Sequence, residues 1–460
     1  MSELTKGSVV NVVEVIEETK NRSLQYLVIG MCFIIMLMDG YDNAIISNAA
    51  PILMKEWKIS AALFGPVFSS ATFGWMVGAA LIGSYADVIG RKKCLVAGSL
   101  LFSAATLLVI YTTNVTSLII LRFITGVGIG AAVPPAIVLT SEFSPNRSKA
   151  KSVTIMFSGF TFGGTVGSFI ASWLIPAFGW HAMFVLGFIA PLPAIAALIW
   201  YLPESPRWLA VKGTTEKHRQ ELIKTIKKLD PRLQIDANTE FIGDAETRKR
   251  KYSVKQLFEG KFAVITTLLW IYYAVSSIGL FFIRAWLPAL YVQQGYSAAD
   301  ASYWTGVTGT FGVIGILAVG FFLDKAGFKW GAVWPLLCGV FTVLTGAMTG
   351  MMFVVIASVA SFFSNGEHSI LTSLAPNLYP VSIRAQADSW AIAVARIGSI
   401  AGPLVGGVLI STGMSLQNLF YVLGAPFIIC TICCYVLGAI YEKDIAPNYA
   451  PKKDSTAKSV

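Results

Sequence analysis

Apolar runs long enough to cross a bilayer recur along this chain with short polar breaks, six of them before residue 206 and six after residue 260. The first set falls near 24–50, 61–86, 93–112, 116–140, 152–176 and 181–202; the second near 262–290, 302–323, 331–349, 351–376, 387–411 and 418–440. Nothing soluble tolerates this pattern. In hydrocarbon, every backbone N–H and C=O must find its partner inside the segment, so each run predicts a helix. Composition agrees: of 460 residues, 55% are hydrophobic and only 13% charged, about half the charge of a soluble chain. Residues 1–23 are polar and mixed in charge, so they read as a tail. The run 24–50 is too long for the core of a cleaved signal and reads as a retained span.

The net charge of +10 invites a nucleic-acid reading, but the placement of the basic residues removes it. With both termini in the cytoplasm, 30 of the 35 Lys and Arg fall in the tails and the cytoplasmic connections, the bias expected of a membrane protein. The predicted organisation is a cytoplasmic tail (1–23), a six-helix half (24–205), a cytoplasmic central loop (206–260), a second six-helix half (261–441) and a cytoplasmic tail (442–460). Within the loop, Leu222, Ile223, Ile226 and Leu229 recur at helical spacing with charges opposite. A helix lying on the cytoplasmic surface is expected there, with anionic lipid headgroups as its neighbours. Cys430, Cys433 and Cys434 form a C-x-x-C-C run, but it sits inside an apolar span, where free cysteine packs as a small hydrophobe. No metal site, catalytic residue or cofactor is expected. His181, His218 and His368 are scattered, which gives an enzyme reading no clustered set to build on.

The two halves repeat. At a gap-free offset of 237 residues, Pro51 matches Pro288, Gly83 matches Gly320, Asp87 matches Asp324, Gly90 matches Gly327, Lys92 matches Lys329, Arg147 matches Arg384 and Ala150 matches Ala387. Transporters built from two like-oriented halves carry this trace and bind substrate between the halves.

The stretch Gly83-Ser-Tyr-Ala-Asp87-Val-Ile-Gly90-Arg91-Lys92-Lys93 resembles the signature between helices 2 and 3 of the major facilitator superfamily. Its physics reads as glycine for a tight reversal and an aspartate facing a helix N-terminus. Val88 and Phe328 depart from the pattern, so the second copy is expected to latch more weakly. Further features narrow the resemblance: Asp39-Gly40-Tyr41-Asp42, Arg122-x-x-x-Gly126-x-Gly128-x-Gly130, Glu142-x-x-Pro145-x-Arg147, Trp286-Leu287-Pro288 ending helix 7, Tyr379-Pro380-x-x-x-Arg384, Arg396-x-Gly398 and Gly402-Pro403-x-x-Gly406-Gly407. Together they look like the aromatic acid:proton symporters. The resemblance implies the major facilitator fold, an all-α membrane protein of twelve transmembrane helices in two pseudo-symmetric halves. It also implies import of a small, aromatic carboxylate with protons across the inner membrane, by a monomer. Dicarboxylates or nicotinate-like acids are the alternative cargo. Export is the less favoured direction, because helix 5 reads Phe162-Gly163-Gly164-Thr165-Val166-Gly167 without the proline usual in proton-driven exporters.

The repeat also singles out candidate site residues. Asp39, Asp42 and Arg122 align with Ser276, Gly279 and Val359, while Glu367 and Arg396 align with Gly130 and Gly159. Charges within the bilayer are costly, and these are not duplicated, so cargo and coupling chemistry rather than the scaffold accounts for them. Asp39 and Asp42, three apart, share a helical face and suit proton coupling. Asp42 lies 18 residues after Leu24 and Arg122 lies 20 before Glu142. Both therefore sit roughly 27–30 Å from the cytoplasmic helix ends, and an ion pair between them is possible. Arg396 is the candidate for the substrate carboxylate, a permanent bridge to Glu367 being the competing reading. His368 either relays protons or packs. Tyr41 is a candidate for stacking on the cargo ring, and Arg284 reads equally as a site residue or as a cation reaching the outer headgroups. Asp87, Gly90, Arg91, Arg147, Asp324 and Arg384 form the expected gating latch. For Glu142 and Arg384, at cytoplasmic helix ends, a coupling or gating role implied by the resemblance and a plain latch read alike.

Overall fold

The computed structural model describes residues 9–19, 22–212, 215–230, 232, 233, 235, 239–242 and 254–445. The basic run at 248–251 and the tail beyond residue 445, which carry part of the expected cytoplasmic charge, lie outside them.

Among the described residues, twelve helices are long and apolar enough to cross a membrane. Spans 1 to 6 are Ser23–Trp57, Ala61–Ile89, Arg91–Tyr111, Val115–Glu142, Lys151–Phe178 and His181–Val211. Spans 7 to 12 are Lys261–Gln293, Ala298–Ala326, Lys329–Ala347, Gly350–Asn377, Ser382–Ser411 and Leu416–Lys443. Spans 9 and 10 are separated at Met348 and Thr349, and Gly350, at φ 55°, starts span 10 anew. Span 4 opens on Asn114, whose side chain accepts from the Ser117 amide at 2.9 Å. Trp286-Leu287-Pro288 does not end helix 7. Pro288 sits inside a helix that runs to Gln293, as its repeat partner Pro51 sits inside span 1.

The chain forms two compact units. One takes in the described residues of Met1–Lys251 together with Ala285–Gly306; the other takes in those of Tyr252–Arg284 and Val307–Val460. In the first unit, span 1 crosses span 5 and span 2 crosses span 4 at glycines: a Cβ on Gly40 would strike the Phe160 carbonyl, and one on Gly126 the Ala71 carbonyl. In the second unit the corresponding pairs recur: Gly398 of span 11 lies on Ala274 of span 7, and Gly315 of span 8 on Phe362 of span 10. The repeated sequence thus builds the same helix pairings twice.

The first unit also holds something the apolar pattern did not announce. Strand β1 (Val9–Asn11) pairs in parallel with β2 (Glu240–Ile242), Val9 opposite Glu240. The short helix Val12–Glu18 follows β1, capped by Asn11, whose side chain accepts from the Val13 amide at 3.0 Å. The expected amphipathic helix is present as Glu216–Leu229. Most of its apolar face is turned to protein. Leu222, Ile226 and Leu229 are buried in one cluster with Val12, Val15 and Ile16. Thr19 Oγ1 donates to the Leu229 carbonyl at 2.5 Å, and the Glu17 carboxylate accepts from the Asn146 amide at 2.8 Å. An apolar stripe needs a dry partner, and the N-terminal segment supplies one before a membrane has to.

Candidate functional site

Spans 1, 3 and 4 converge on a sealed ion pair. Arg122 Nη1 donates to Asp42 Oδ2 at 2.7 Å, with the side chains 1% and 3% exposed. Thr106 of span 3 donates to the other oxygen at 3.3 Å. The equal depth read from the sequence thus becomes a direct contact. Arg122 Nε has no hydrogen-bond partner among the described residues, so the guanidinium is incompletely satisfied even here. Asp39 faces differently. Its Oδ1 accepts from the Asn43 side chain of the next turn at 3.3 Å. Tyr41 is buried, its hydroxyl donating to the Met183 carbonyl at 3.3 Å. Its ring fills the space beside Gly167 and Gly187. In this conformation it is packed rather than offered to a cargo, because two glycine-lined helices close over it.

In the second unit, Glu367 of span 10 is fully buried. Its Oε1 accepts from Ser276 of span 7 at 2.7 Å, while Oε2 has no hydrogen-bond partner among the described residues. The bridge to Arg396 weighed from the sequence is not formed: Glu367 has no cation within ion-pair distance among the described residues. His368 Nδ1 lies 3.0 Å from the same Ser276 hydroxyl. Half-buried Arg284 donates to Asn365 Oδ1 at 2.7 Å and lies 5.7 Å from the Phe281 ring, so it is held by protein and does not merely reach for headgroups. Arg396 is half-buried on span 11, two residues before the Gly398 contact. Both Arg284 and Arg396 act electrostatically on His368.

The signature stretch folds tightly: a 3-10 turn Gly83–Tyr85, a short helix Ala86–Ile89, then Gly90 at φ 109° before span 3 starts at Arg91. Arg91 Nη2 bonds Asp87 at 3.0 Å and reaches Glu142 of span 4 at 3.5 Å. The carboxylate at the helix N-terminus is not Asp87, which the sequence suggested, but Glu204. Its Oε1 accepts from the Arg91 and Lys92 amides at 2.9 and 3.1 Å. Asp87, 77% exposed at its side chain, is turned to Arg91 instead. In the second copy, Glu442 accepts from the Lys329 amide at 3.1 Å, and Gly327 stands at φ 82°. Asp324 makes no ion pair among the described residues, since Phe328 replaces the arginine and packs on Tyr441 at 5.1 Å. Arg384 donates to the Tyr379 carbonyl at 3.4 Å, and Arg147 is exposed.

The sequence reading missed Glu204, Glu442, Ser276 and Thr106. A signal existed for the first two: both follow the sixth apolar run of their half (181–202 and 418–440), but at an offset of 238, one step outside the gap-free repeat. Ser276 and Thr106 carried none, being ordinary polar residues in apolar spans.

The chain matches the profile of the Major Facilitator Superfamily over residues 32–351 and 269–458. It is a major facilitator. Relatives of this facilitator include a gallate transporter of Pseudomonas putida, 35% identical over 87% of this chain and 89% of the relative. A 4-hydroxybenzoate transporter of Acinetobacter baylyi is 34% identical over 91% and 92%. A benzoate transport protein of the same organism is 29% identical over 98% of both chains. Among solved structures, the xylose transporter XylE from E. coli in its inward open conformation superposes with a TM-score of 0.68 at 18% identity, covering 89% of this facilitator and 95% of XylE. That likeness concerns the fold. The facilitator is a multi-pass protein of the membrane, the inner membrane in bacteria.

Proposed function

We propose that this facilitator imports an aromatic carboxylate together with a proton by alternating access, with both termini in the cytoplasm. The observation that carries the reading is the buried Asp42–Arg122 pair, which has no counterpart in the second half of a repeat that otherwise builds the same helix pairings. Two charges removed from water cost several kcal/mol each unless paired, and a fold that closes without them elsewhere has another use for them here. When Asp42 takes a proton, Arg122 loses its partner and the pair opens; when the proton leaves, it reseals. The similarity to transporters of gallate, 4-hydroxybenzoate and benzoate supports a carboxylated ring as cargo. Arg396 is the group proposed to hold its carboxylate through two parallel bonds. Asp87, Arg91 and Glu142 form the proposed latch at the cytoplasmic side, tightened by the Glu204 cap.

The test is uptake into proteoliposomes of radiolabelled gallate, 4-hydroxybenzoate and benzoate under an imposed pH gradient, interior alkaline. Accumulation of at least one acid that collapses with a protonophore is the expected result. Absence of accumulation for all three would sink the reading.

A further inference from the structure

Glu367 is a buried acid that the Asp42–Arg122 mechanism does not use. Its surroundings are specific. On span 7, Ser276 donates to Oε1 at 2.7 Å, and the Tyr272 hydroxyl stands close to the carboxyl but outside hydrogen-bond geometry. Cys338 of span 9 and Cys430 and Cys434 of span 12 lie around it. All of these neighbours are neutral, so an ionised Glu367 would be an uncompensated charge in a dry core. From the carboxyl a path leads outward. Ser276 is completely buried, but His368, 3.0 Å from its hydroxyl, is only partly so. Around the imidazole stand Tyr273, edge-on at 6.1 Å, and within electrostatic reach Arg284 and Arg396. Asp388 of span 11 acts on Tyr273.

The internal repeat shows that the scaffold does not require this set. Glu367 and His368 align with Gly130 and Ala131, and the equivalent helix pairing of spans 2 and 4 forms around that glycine. Ser276 aligns with Asp39, so each half places a hydrogen-bonding group at the same station of its first helix.

We infer that His368, Ser276 and Glu367 form a second proton site, loaded through the imidazole and filled when an anion occupies Arg396. This rests on the import reading above and adds a second proton to it. A proton enters at the imidazole. His368 Nδ1 hands a proton to the Ser276 oxygen as the serine's own hydrogen passes to Glu367 Oε1. Arg396 stands within electrostatic reach of the imidazole, and a carboxylate bound there brings negative charge toward the entering proton. Anion and proton therefore load together. A monoanion carried with two protons moves one net positive charge, so uptake responds to voltage.

The experiment uses proteoliposomes holding the full chain, radiolabelled 4-hydroxybenzoate, equal pH on both sides, and a potassium diffusion potential with the interior negative. Wild type should accumulate the acid, up to about 50-fold at a potential of about 100 mV. Glu367→Gln should lose that response while retaining uptake driven by a pH gradient. Ser276→Ala keeps the acid but cuts the path, and should slow uptake after a pH jump without changing the final accumulation ratio. Accumulation by wild type that follows the pH gradient and ignores voltage overturns this inference alone. Voltage-driven uptake that survives Glu367→Gln also overturns it, as does loss of pH-driven uptake in that variant when correctly inserted. Wild-type vesicles that accumulate no acid under any gradient overturn the import reading and this one with it.

Discussion

Glu204 stands where a Cβ on Gly90 would have to go, its carboxylate filling the gap left by the missing side chain and capping the start of span 3. The glycine is therefore required twice, by its φ of 109° and by the acid against it. Gly90→Ala should destabilise the protein in detergent by about 1–3 kcal/mol through backbone strain alone. Glu204→Gln, which keeps the shape and weakens the cap, should cost about 0.5–2 kcal/mol. Melting of the purified variants checks both, with the glycine variant expected to melt lower. An unchanged melt for Gly90→Ala would show that the turn relaxes freely.

Asp42→Asn should abolish proton-driven accumulation but leave exchange of labelled for unlabelled cargo across the membrane. It also strands a buried guanidinium, a loss of about 3–5 kcal/mol. Asp42→Asn combined with Arg122→Gln should recover much of that stability and none of the coupling. Counterflow and pH-driven uptake, measured side by side, separate the two effects.

Arg396→Lys should raise KM for an aromatic carboxylate about tenfold or more, because an ammonium offers one point of contact where a guanidinium offers a fork. The corresponding amide of the cargo should compete poorly with wild type and no worse with the variant. A KM unchanged by the substitution would move the carboxylate elsewhere.

Ile226 of the loop helix is buried in one cluster with Val12, Val15 and Ile16 of the N-terminal helix. Ile226→Ala should cost about 2–5 kcal/mol locally. Hydrogen exchange should quicken across Val12–Glu18 and Glu216–Leu229, with uptake unaffected. Protection confined to membrane-bound protein would instead restore lipid as the partner of this face.

Asp230, next to that helix, accepts from Arg232 Nε at 2.9 Å, from Nη2 at 3.0 Å and from the Arg232 amide at 3.1 Å. These bonds hold its carboxyl below the usual aspartate range. A folded value below the unfolded one means stabilisation that is fully present above the ordinary value of about 3.9 and lost as pH falls through the folded value. Asp230→Asn should therefore speed exchange at the end of the Glu216–Leu229 helix by a constant factor at neutral pH. The difference from wild type should shrink only in strong acid. A difference that varies between pH 6 and 8 would point to another group.

The division of labour between sequence and structure follows particular residues. Twelve spans were legible because a bilayer leaves a long apolar run one way to satisfy its backbone. The duplicated turn was legible because Gly90 and Gly327 stand at φ values that ordinary residues avoid. Asp42 and Arg122 were legible as possible partners because helical rise fixes depth. The sequence left Glu367 as a possible partner of Arg396 and did not foresee that the acid turns to Ser276, since depth along a helix says nothing of azimuth.

The sequence by itself determined how many helices there are, that they come in two related sets, and which charges lie inside them. These are one-dimensional quantities, set by run length, offset and solvent cost. Tertiary structure alone decided which acid caps span 3, what covers the apolar face of the loop helix, and that Tyr41 is packed away against Met183. Each of those depends on which helix faces arrive at the same place, and residues far apart along the chain settle that together.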